Sequence, residues 1–228
     1  MSYKHQKIVI ESSSSLGTTA FADYYSYGCT DGSPMICYIG GSITPSEYSR
    51  RQYTEPLSIV SAFETAWKRE PPAVDLLILS APPSGPHLLD ERLTRTRVHL
   101  LGELLPQTGN PRPPAMAFLG NSYGAHLASY LTFSLAPAIA LATIAGGGMA
   151  EGAISRTQDH IEDKCCHIFS NLEDGTNDED VKFIQFLEGK GVSYKLDRRE
   201  GGHPFADYER NGSVVDAFKF LLMALATD

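Results

Sequence analysis

The chain has 228 residues, of which 42 % are hydrophobic and 20 % are charged, as is ordinary for a globular protein with a sizeable core. The formal charge is −8 and no block of basic residues occurs, which excludes nucleic acid as an expected partner, because phosphate binding needs clustered Lys and Arg. No segment approaches the roughly 18 apolar residues of a membrane span or has the apolar run of a signal peptide, so we expect a cytoplasmic protein.

The N-terminal part predicts a pair of strands followed by a third strand that is buried. Lys7–Ile10 predicts a short strand that contains the apolar run 8–10, and Thr19–Tyr27 carries aromatic residues that favour β structure, with the serines of 12–15 as the turn between them. Met35–Ile39 is apolar throughout and stops at two glycines. This pattern is typical of a strand that is buried on both faces.

From residue 56 onward, predicted helices and strands alternate. The predicted helices cover Pro56–Trp67, Leu88–Leu105, Tyr123–Phe133, Glu151–Glu162, Asp180–Leu187 and Ser213–Ala226. The predicted strands cover Val74–Leu79, Pro114–Leu119, Ala138–Ile144, Cys166–Phe169 and Val192–Leu196. Pro56 is expected in the first turn of its helix, and Ser213 with Asp216 has the spacing of a capping box. Alternation of this kind requires parallel strands with helices on both faces, so the sequence predicts one α/β domain over residues 1–228, with about eight strands.

The most informative segment is Gly120-Asn121-Ser122-Tyr123-Gly124, a G-x-S-x-G pattern between a predicted strand and a predicted helix. A nucleophile elbow occupies this position, because the turn holds the serine in a strained conformation at the amide end of a helix. The alternative is a tight glycine turn that only packs the helix on the sheet. A phosphate-binding loop is disfavoured, since no lysine follows Gly124.

A serine hydroxyl is a weak nucleophile and needs a base, which in this architecture follows the serine and the acid in the chain. His203 follows the last predicted strand in a loop that contains two glycines. His126 lies inside the predicted helix after Ser122, and the remaining histidines lie upstream of the serine or next to a strand. We therefore predict that His203 is the general base.

The acid that orients the histidine should follow the preceding strand. Asp174 lies just past the end of Cys166–Phe169, before a glycine, and the distance to His203 leaves room for one helix and one strand. Glu173 is the alternative acid. Asp178 and Asp180 are expected to cap the next helix, where a carboxylate offsets the N-terminal dipole.

An oxyanion hole needs two backbone N–H groups that point to the position of the developing negative charge. The residue after the serine, Tyr123, is expected to supply one of them. The other is expected from the loop after Met35–Ile39, where Ser42 is the preferred donor and Gly41 the alternative.

In these segments the chain resembles the α/β-hydrolase superfamily, over nearly all of its length. The matching segments are Gly120–Gly124, Asn171–Asp174, Gly201–His203 and Tyr38–Ser42. The chain differs at Ile39, where many members have His before the first glycine of the oxyanion loop. The resemblance implies an α/β-hydrolase fold and a Ser-His-Asp hydrolase. It also implies a small member with no large cap domain, since the interval from Gly146 to Lys164 is short.

The sequence therefore predicts a serine hydrolase of the carboxylesterase or thioesterase type, acting on a small ester or thioester through an acyl-enzyme. We expect neither a metal nor an organic cofactor, because this chemistry uses side chains alone and no CxxC or HxxxH spacing occurs. Two alternatives remain open: an acyltransferase that uses the same three residues, and a non-catalytic relative that only binds a ligand. The oligomeric state also remains open.

Overall fold

Eight strands form one mixed sheet in the computed structural model, which describes residues 3–10, 20–27, 32–41, 45–67, 73–79, 101–146 and 161–226. The strands are β1 (Lys4–Ile10), β2 (Ala20–Ser26), β3 (Met35–Ile39), β4 (Asp75–Leu79), β5 (Met116–Asn121), β6 (Ala138–Ile144), β7 (Cys165–Asn171) and β8 (Ser193–Arg199). Their order across the sheet is β1-β2-β4-β3-β5-β6-β7-β8. The strands β1 and β2 pair antiparallel, β2 also pairs antiparallel with β4, and every pair from β4 to β8 is parallel.

The helices cover both faces of this sheet. They are α1 (Pro45–Ala66), α2 (Tyr123–Ser134), α3 (Asn177–Gly189), α4 (Phe205–Arg210) and α5 (Ser213–Leu225), and a 3₁₀ helix spans Leu105–Thr108. One core cluster joins α1 and α5 to one face of the sheet, and a second joins α2 and α3 to the other face. Strands β3, β4 and β5 are buried along their whole length, which explains why they are apolar except for Asp75 at the start of β4 and Asn121 at the end of β5. The predicted α/β architecture is confirmed.

Two helix starts differ from the prediction. The helix predicted from Pro56 begins at Pro45, so Pro56 lies inside α1 and not in its first turn. The polar residues 45–55 gave no apolar periodicity from which this extension could be predicted. The helix predicted from Asp180 begins at Asn177, after Thr176, with no side-chain cap, so neither Asp178 nor Asp180 caps α3. Both carboxylates lie in its first turn, as expected for residues that offset the helix dipole.

The predicted capping box of the last helix is wrong. Gly212 precedes α5, and the side-chain oxygen of Asn211 accepts hydrogen bonds from both the amide and the hydroxyl of Ser213, at 3.1 and 2.7 Å. Asp216 instead binds Arg199, with Oδ2 and Nη2 2.7 Å apart. A tertiary ion pair and an upstream asparagine therefore replace the local pattern.

Some expectations concern residues outside the described ranges. Of the helix predicted over Leu88–Leu105, the structure describes only the end, where residues 101–104 are helical, and most of Glu151–Glu162 is not described. Within the described ranges, none of the helices combines the length and apolar character that crossing a membrane requires. Organisation as a single domain over 1–228 stays a prediction.

Candidate active site

Ser122 lies in a tight turn between β5 and α2. Its backbone dihedrals are φ 51° and ψ −122°, and Ala145 is the only other non-glycine residue with positive φ in the described part of the chain. The turn is fixed on both sides, because the Ser122 amide donates to the Ile144 carbonyl and the Ser122 carbonyl accepts from the Ala125 amide, both at 2.8 Å. Ser122 therefore has the strained strand-to-helix geometry of a nucleophile elbow.

The two glycines of the G-x-S-x-G segment allow α2 to approach the sheet closely. A Cβ atom on Gly120 would lie 2.4 Å from the Cα of Ala125, and one on Gly124 would lie 2.1 Å from the carbonyl oxygen of Ile39. Both distances are far shorter than any carbon contact tolerates. The glycines are thus required by the packing of the first turn of α2 against β5 and the end of β3.

The predicted site residues Ser122, His203 and Asp174 lie in one hydrogen-bonded chain. Ser122 Oγ is 3.1 Å from His203 Nε2, and His203 Nδ1 is 3.0 Å from Asp174 Oδ1. Asp174 is 1 % exposed, whereas the imidazole of His203 is about half exposed. The three residues follow β5, β7 and β8, whose carboxyl ends meet at the same edge of the parallel sheet.

Asp174 accepts several hydrogen bonds besides that from His203. The amide and hydroxyl of Thr176 donate to Oδ1 at 3.0 and 2.9 Å, and the hydroxyl of Tyr208 donates to Oδ2 at 2.7 Å. Burial raises the pKa of Asp174, but the hydrogen bonds from Tyr208, His203 and Thr176 outweigh burial and hold this pKa below its ordinary value. The carboxyl group is therefore ionised at neutral pH.

The alternative acid Glu173 is exposed, and its backbone amide donates to Gly201 O at 3.1 Å.

No protein-family model matches the chain, and no curated protein matches it. Several solved structures match almost its whole length. Carboxyl esterase 2 from the mycorrhizal fungus Tuber melanosporum has a TM-score of 0.66 at 16 % identity, covering 99 % of this chain and 88 % of that one. A thermostable esterase from Pseudomonas putida has a TM-score of 0.64 at 12 % identity, covering 99 % and 84 %. A ferulic acid esterase has a TM-score of 0.59 at 11 % identity, covering 94 % and 98 %.

The chain has the α/β-hydrolase fold. The resemblance drawn from the sequence motifs is confirmed at this level. At these identities the comparisons concern the fold, and the roles of individual residues must be argued from the site itself.

Within the α/β-hydrolase fold, the residues expected to form an oxyanion hole flank Ser122. Tyr123 is the first residue of α2. On the other side, a Cβ atom on Gly41 would lie 3.2 Å from Ser122 Cβ and 3.3 Å from the carbonyl oxygen of Asn121. The backbone of Gly41 is therefore in van der Waals contact with the elbow. Ser42, the preferred donor in the sequence analysis, lies outside the described residues.

The loop that carries His203 is held in place by hydrogen bonds with β7, with α4 and with the turn that follows α4. Asn171 Nδ2, at the end of β7, donates to Gly202 O at 2.9 Å, and the Gly202 amide donates to Asp207 Oδ2 of α4 at 2.9 Å. Asn211 Nδ2 donates to Glu200 O at 3.0 Å. The half-exposed imidazole thus belongs to a loop whose backbone is well anchored.

Sequence reasoning did not find Tyr208 and Thr176, whose hydroxyls donate to Asp174. Tyr208 lies in α4, a helix of six residues that is too short to show apolar periodicity. The only sequence signal for Thr176 is its position two residues after the predicted acid. His126, rejected as the base, is directed to a different partner, since its Nε2 is 3.6 Å from Glu179 Oε2.

Proposed function

We propose that the protein is a serine hydrolase that cleaves a carboxylic ester or thioester through an acyl-enzyme. The observation that carries this proposal is the chain Ser122–His203–Asp174, with contacts of 3.1 and 3.0 Å and with Ser122 in a strained elbow. The matched structures named above are esterases, which favours an ester as the substrate.

In the first half of the reaction, Ser122 Oγ attacks the acyl carbon while His203 Nε2 takes its proton. The carbonyl oxygen becomes negatively charged and is stabilised by the amides of Tyr123 and of the Gly41–Ser42 loop. The tetrahedral intermediate then collapses. The bond from carbon to the leaving oxygen or sulfur breaks, His203 gives its proton to the leaving group, and the acyl group remains on Ser122.

In the second half, a water molecule gives its proton to His203 Nε2 and attacks the acyl carbon. Collapse of this intermediate releases the acid and returns the proton to Ser122. In both halves the buried, ionised Asp174 holds Nδ1 of His203 protonated and stabilises the imidazolium that forms. The hydrogen bonds from Thr176 and Tyr208 that keep Asp174 ionised are consistent with this role.

Labelling with a fluorophosphonate probe tests the proposal, because the probe reacts covalently with an activated serine. The wild-type protein should be labelled, and Ser122→Ala should be neither labelled nor active. Ser129→Ala is the matched control: this buried serine lies on the same helix, donates to Ala125 O at 2.7 Å and has no role in the proposed reaction. Equal labelling of the wild type and Ser122→Ala would contradict the proposal.

Substrate preference is tested with nitrophenyl esters of graded acyl length, beside a thioester and an amide. The expected result is turnover of the esters or the thioester, with the free acid as the acyl product. Added alcohol or amine separates hydrolysis from acyl transfer, because a transferase converts the acyl group to the new ester or amide while water is present. A protein that binds these substrates but is inert to them and to the probe would be a binding protein.

A further inference from the structure

We propose that Tyr208 is a positioning residue of this site, which acts on His203 through the carboxylate of Asp174. This inference rests on the proposed function for its catalytic consequence. The contact itself is a property of the fold and is measurable without a substrate.

The hydroxyl of Tyr208 lies in a chain of hydrogen bonds with a defined direction. The backbone amide of Asn171, at the end of β7, donates to the Tyr208 hydroxyl oxygen at 3.1 Å. The Tyr208 hydroxyl in turn donates to Asp174 Oδ2 at 2.7 Å. The Tyr208 side chain is fully buried. Because the Asn171 amide occupies the oxygen as a donor, the hydroxyl proton is directed to the carboxylate.

The two oxygens of Asp174 have different partners. Oδ1 accepts from His203 Nδ1 and from the amide and hydroxyl of Thr176, whereas Tyr208 is the donor that binds Oδ2. A carboxylate held at both oxygens does not rotate about its Cβ–Cγ bond. The Tyr208 contact therefore fixes the plane in which Oδ1 meets the imidazole.

The short helix α4 connects this contact to the histidine loop. It begins two residues after His203, and its Asp207 Oδ2 accepts from the Gly202 amide at 2.9 Å. Tyr208 and His203, five positions apart, thus bind opposite oxygens of the same buried carboxylate. The hydroxyl of Tyr208 and the imidazole of His203 therefore hold the Asp174 carboxylate from both sides.

The test is Tyr208→Phe, which removes the hydroxyl and keeps the ring. A lost hydrogen bond to a charged group corresponds to about a 10- to 100-fold effect, and we expect kcat to fall by about that factor with KM unchanged. The acid limb of the kcat/KM profile should also move to higher pH. Without the hydrogen bond from Tyr208, the Asp174 carboxylate attracts the protonated imidazole of His203 more strongly, which favours the protonated form of His203.

Tyr24→Phe is the matched control for lost stability. The Tyr24 hydroxyl donates to Asp75 Oδ2 at 2.7 Å, and both residues are buried. This pair lies at the amino end of β4, at the opposite edge of the sheet from Ser122. Tyr24→Phe should lower the melting temperature much as Tyr208→Phe does, while its kcat and pH profile stay those of the wild type.

A spectroscopic readout separates this inference from the proposed function. In protein labelled with ¹⁵N-histidine, the His203 Nδ1 proton should resonate downfield, and Tyr208→Phe should shift it while Tyr24→Phe does not. If Tyr208→Phe shifts this resonance but the wild-type protein neither reacts with the probe nor hydrolyses esters, the positioning is supported and the proposed function is refuted. An unchanged resonance in Tyr208→Phe, or an equal loss of kcat in Tyr24→Phe, overturns the inference.

Discussion

The carboxyl group of Asp180 should make the stability of the protein fall as the pH rises through the mildly acidic range. Asp180 lies in the first turn of α3 and is fully buried, and within the described residues neither of its carboxylate oxygens has a hydrogen-bond partner. The hydroxyl of Ser170 donates instead to Asn177 Oδ1, at 2.9 Å. Burial is the main cause that raises the pKa of Asp180, from 3.8 to about 6; the nearby Ser170 hydroxyl opposes this rise and the charge of Asp174 adds to it.

The direction of the effect follows from proton binding. Between pH 3.8 and about 6 the folded protein holds the Asp180 proton and the unfolded chain has released it. The free energy of unfolding therefore falls with rising pH in this window, and the contribution is constant above it. A shift of roughly two pKa units corresponds to about 3 kcal/mol, because one unit is about 1.4 kcal/mol.

Asp180→Asn removes this titration and keeps the shape of the side chain. The difference in the free energy of unfolding between Asp180→Asn and the wild type should rise by about 2–3 kcal/mol from pH 4 to pH 7, in favour of the variant. Urea unfolding followed by circular dichroism at each pH measures it, and the carboxyl groups that do not interact with Asp180 cancel in the difference. Asp178→Asn, an exposed position in the same turn, is the control and should change stability by less than about 1 kcal/mol at any pH. A difference for Asp180→Asn that is constant with pH would refute the reasoning.

Two further predictions concern the candidate site. Asp174→Asn should lower kcat by about 10⁴-fold in a folded protein, because the histidine loses the acceptor that fixes its tautomer. Glu173→Gln should leave kcat within about twofold, and an Asp174→Asn variant that loses no more kcat than Glu173→Gln would place the acid elsewhere. Gly124→Ala should abolish labelling of Ser122 and lower the melting temperature, since the new Cβ would lie 2.1 Å from Ile39 O. A labelled and stable Gly124→Ala protein would show that α2 does not need this close approach.

Most of the sheet was predictable because its parallel strands are covered on both faces. Full burial makes the central residues of β3, β4 and β5 apolar, and a run of this kind between glycines or prolines is recognisable without tertiary information. The G-x-S-x-G segment was informative for a similar reason, since steric contact alone dictates both glycines.

What the sequence did not reveal depends on contacts between distant segments. The choice between Asp174 and Glu173 needs the end of β7, which continues to Asn171 beyond the predicted end at Phe169. Tyr208 has no local pattern, because its role arises only when α4 folds back against the end of β7. The capping box at Ser213 was a valid local signal that Asn211 and an ion pair displaced.

The packing of α2 against the sheet maintains the backbone strain at Ser122. A non-glycine residue with positive φ costs on the order of 1–3 kcal/mol, and such a residue relaxes unless its surroundings prevent it. Relaxation here would move α2 away from the end of β3, opening contacts around Leu131 and Phe118, both of which are fully buried. Losing that burial costs more than the strain, since one large apolar side chain contributes about 1.5–3 kcal/mol. The hydrophobic core beneath the elbow therefore keeps the Ser122 hydroxyl directed to His203, so the stability of this region and the reactivity proposed for the serine would depend on the same contacts.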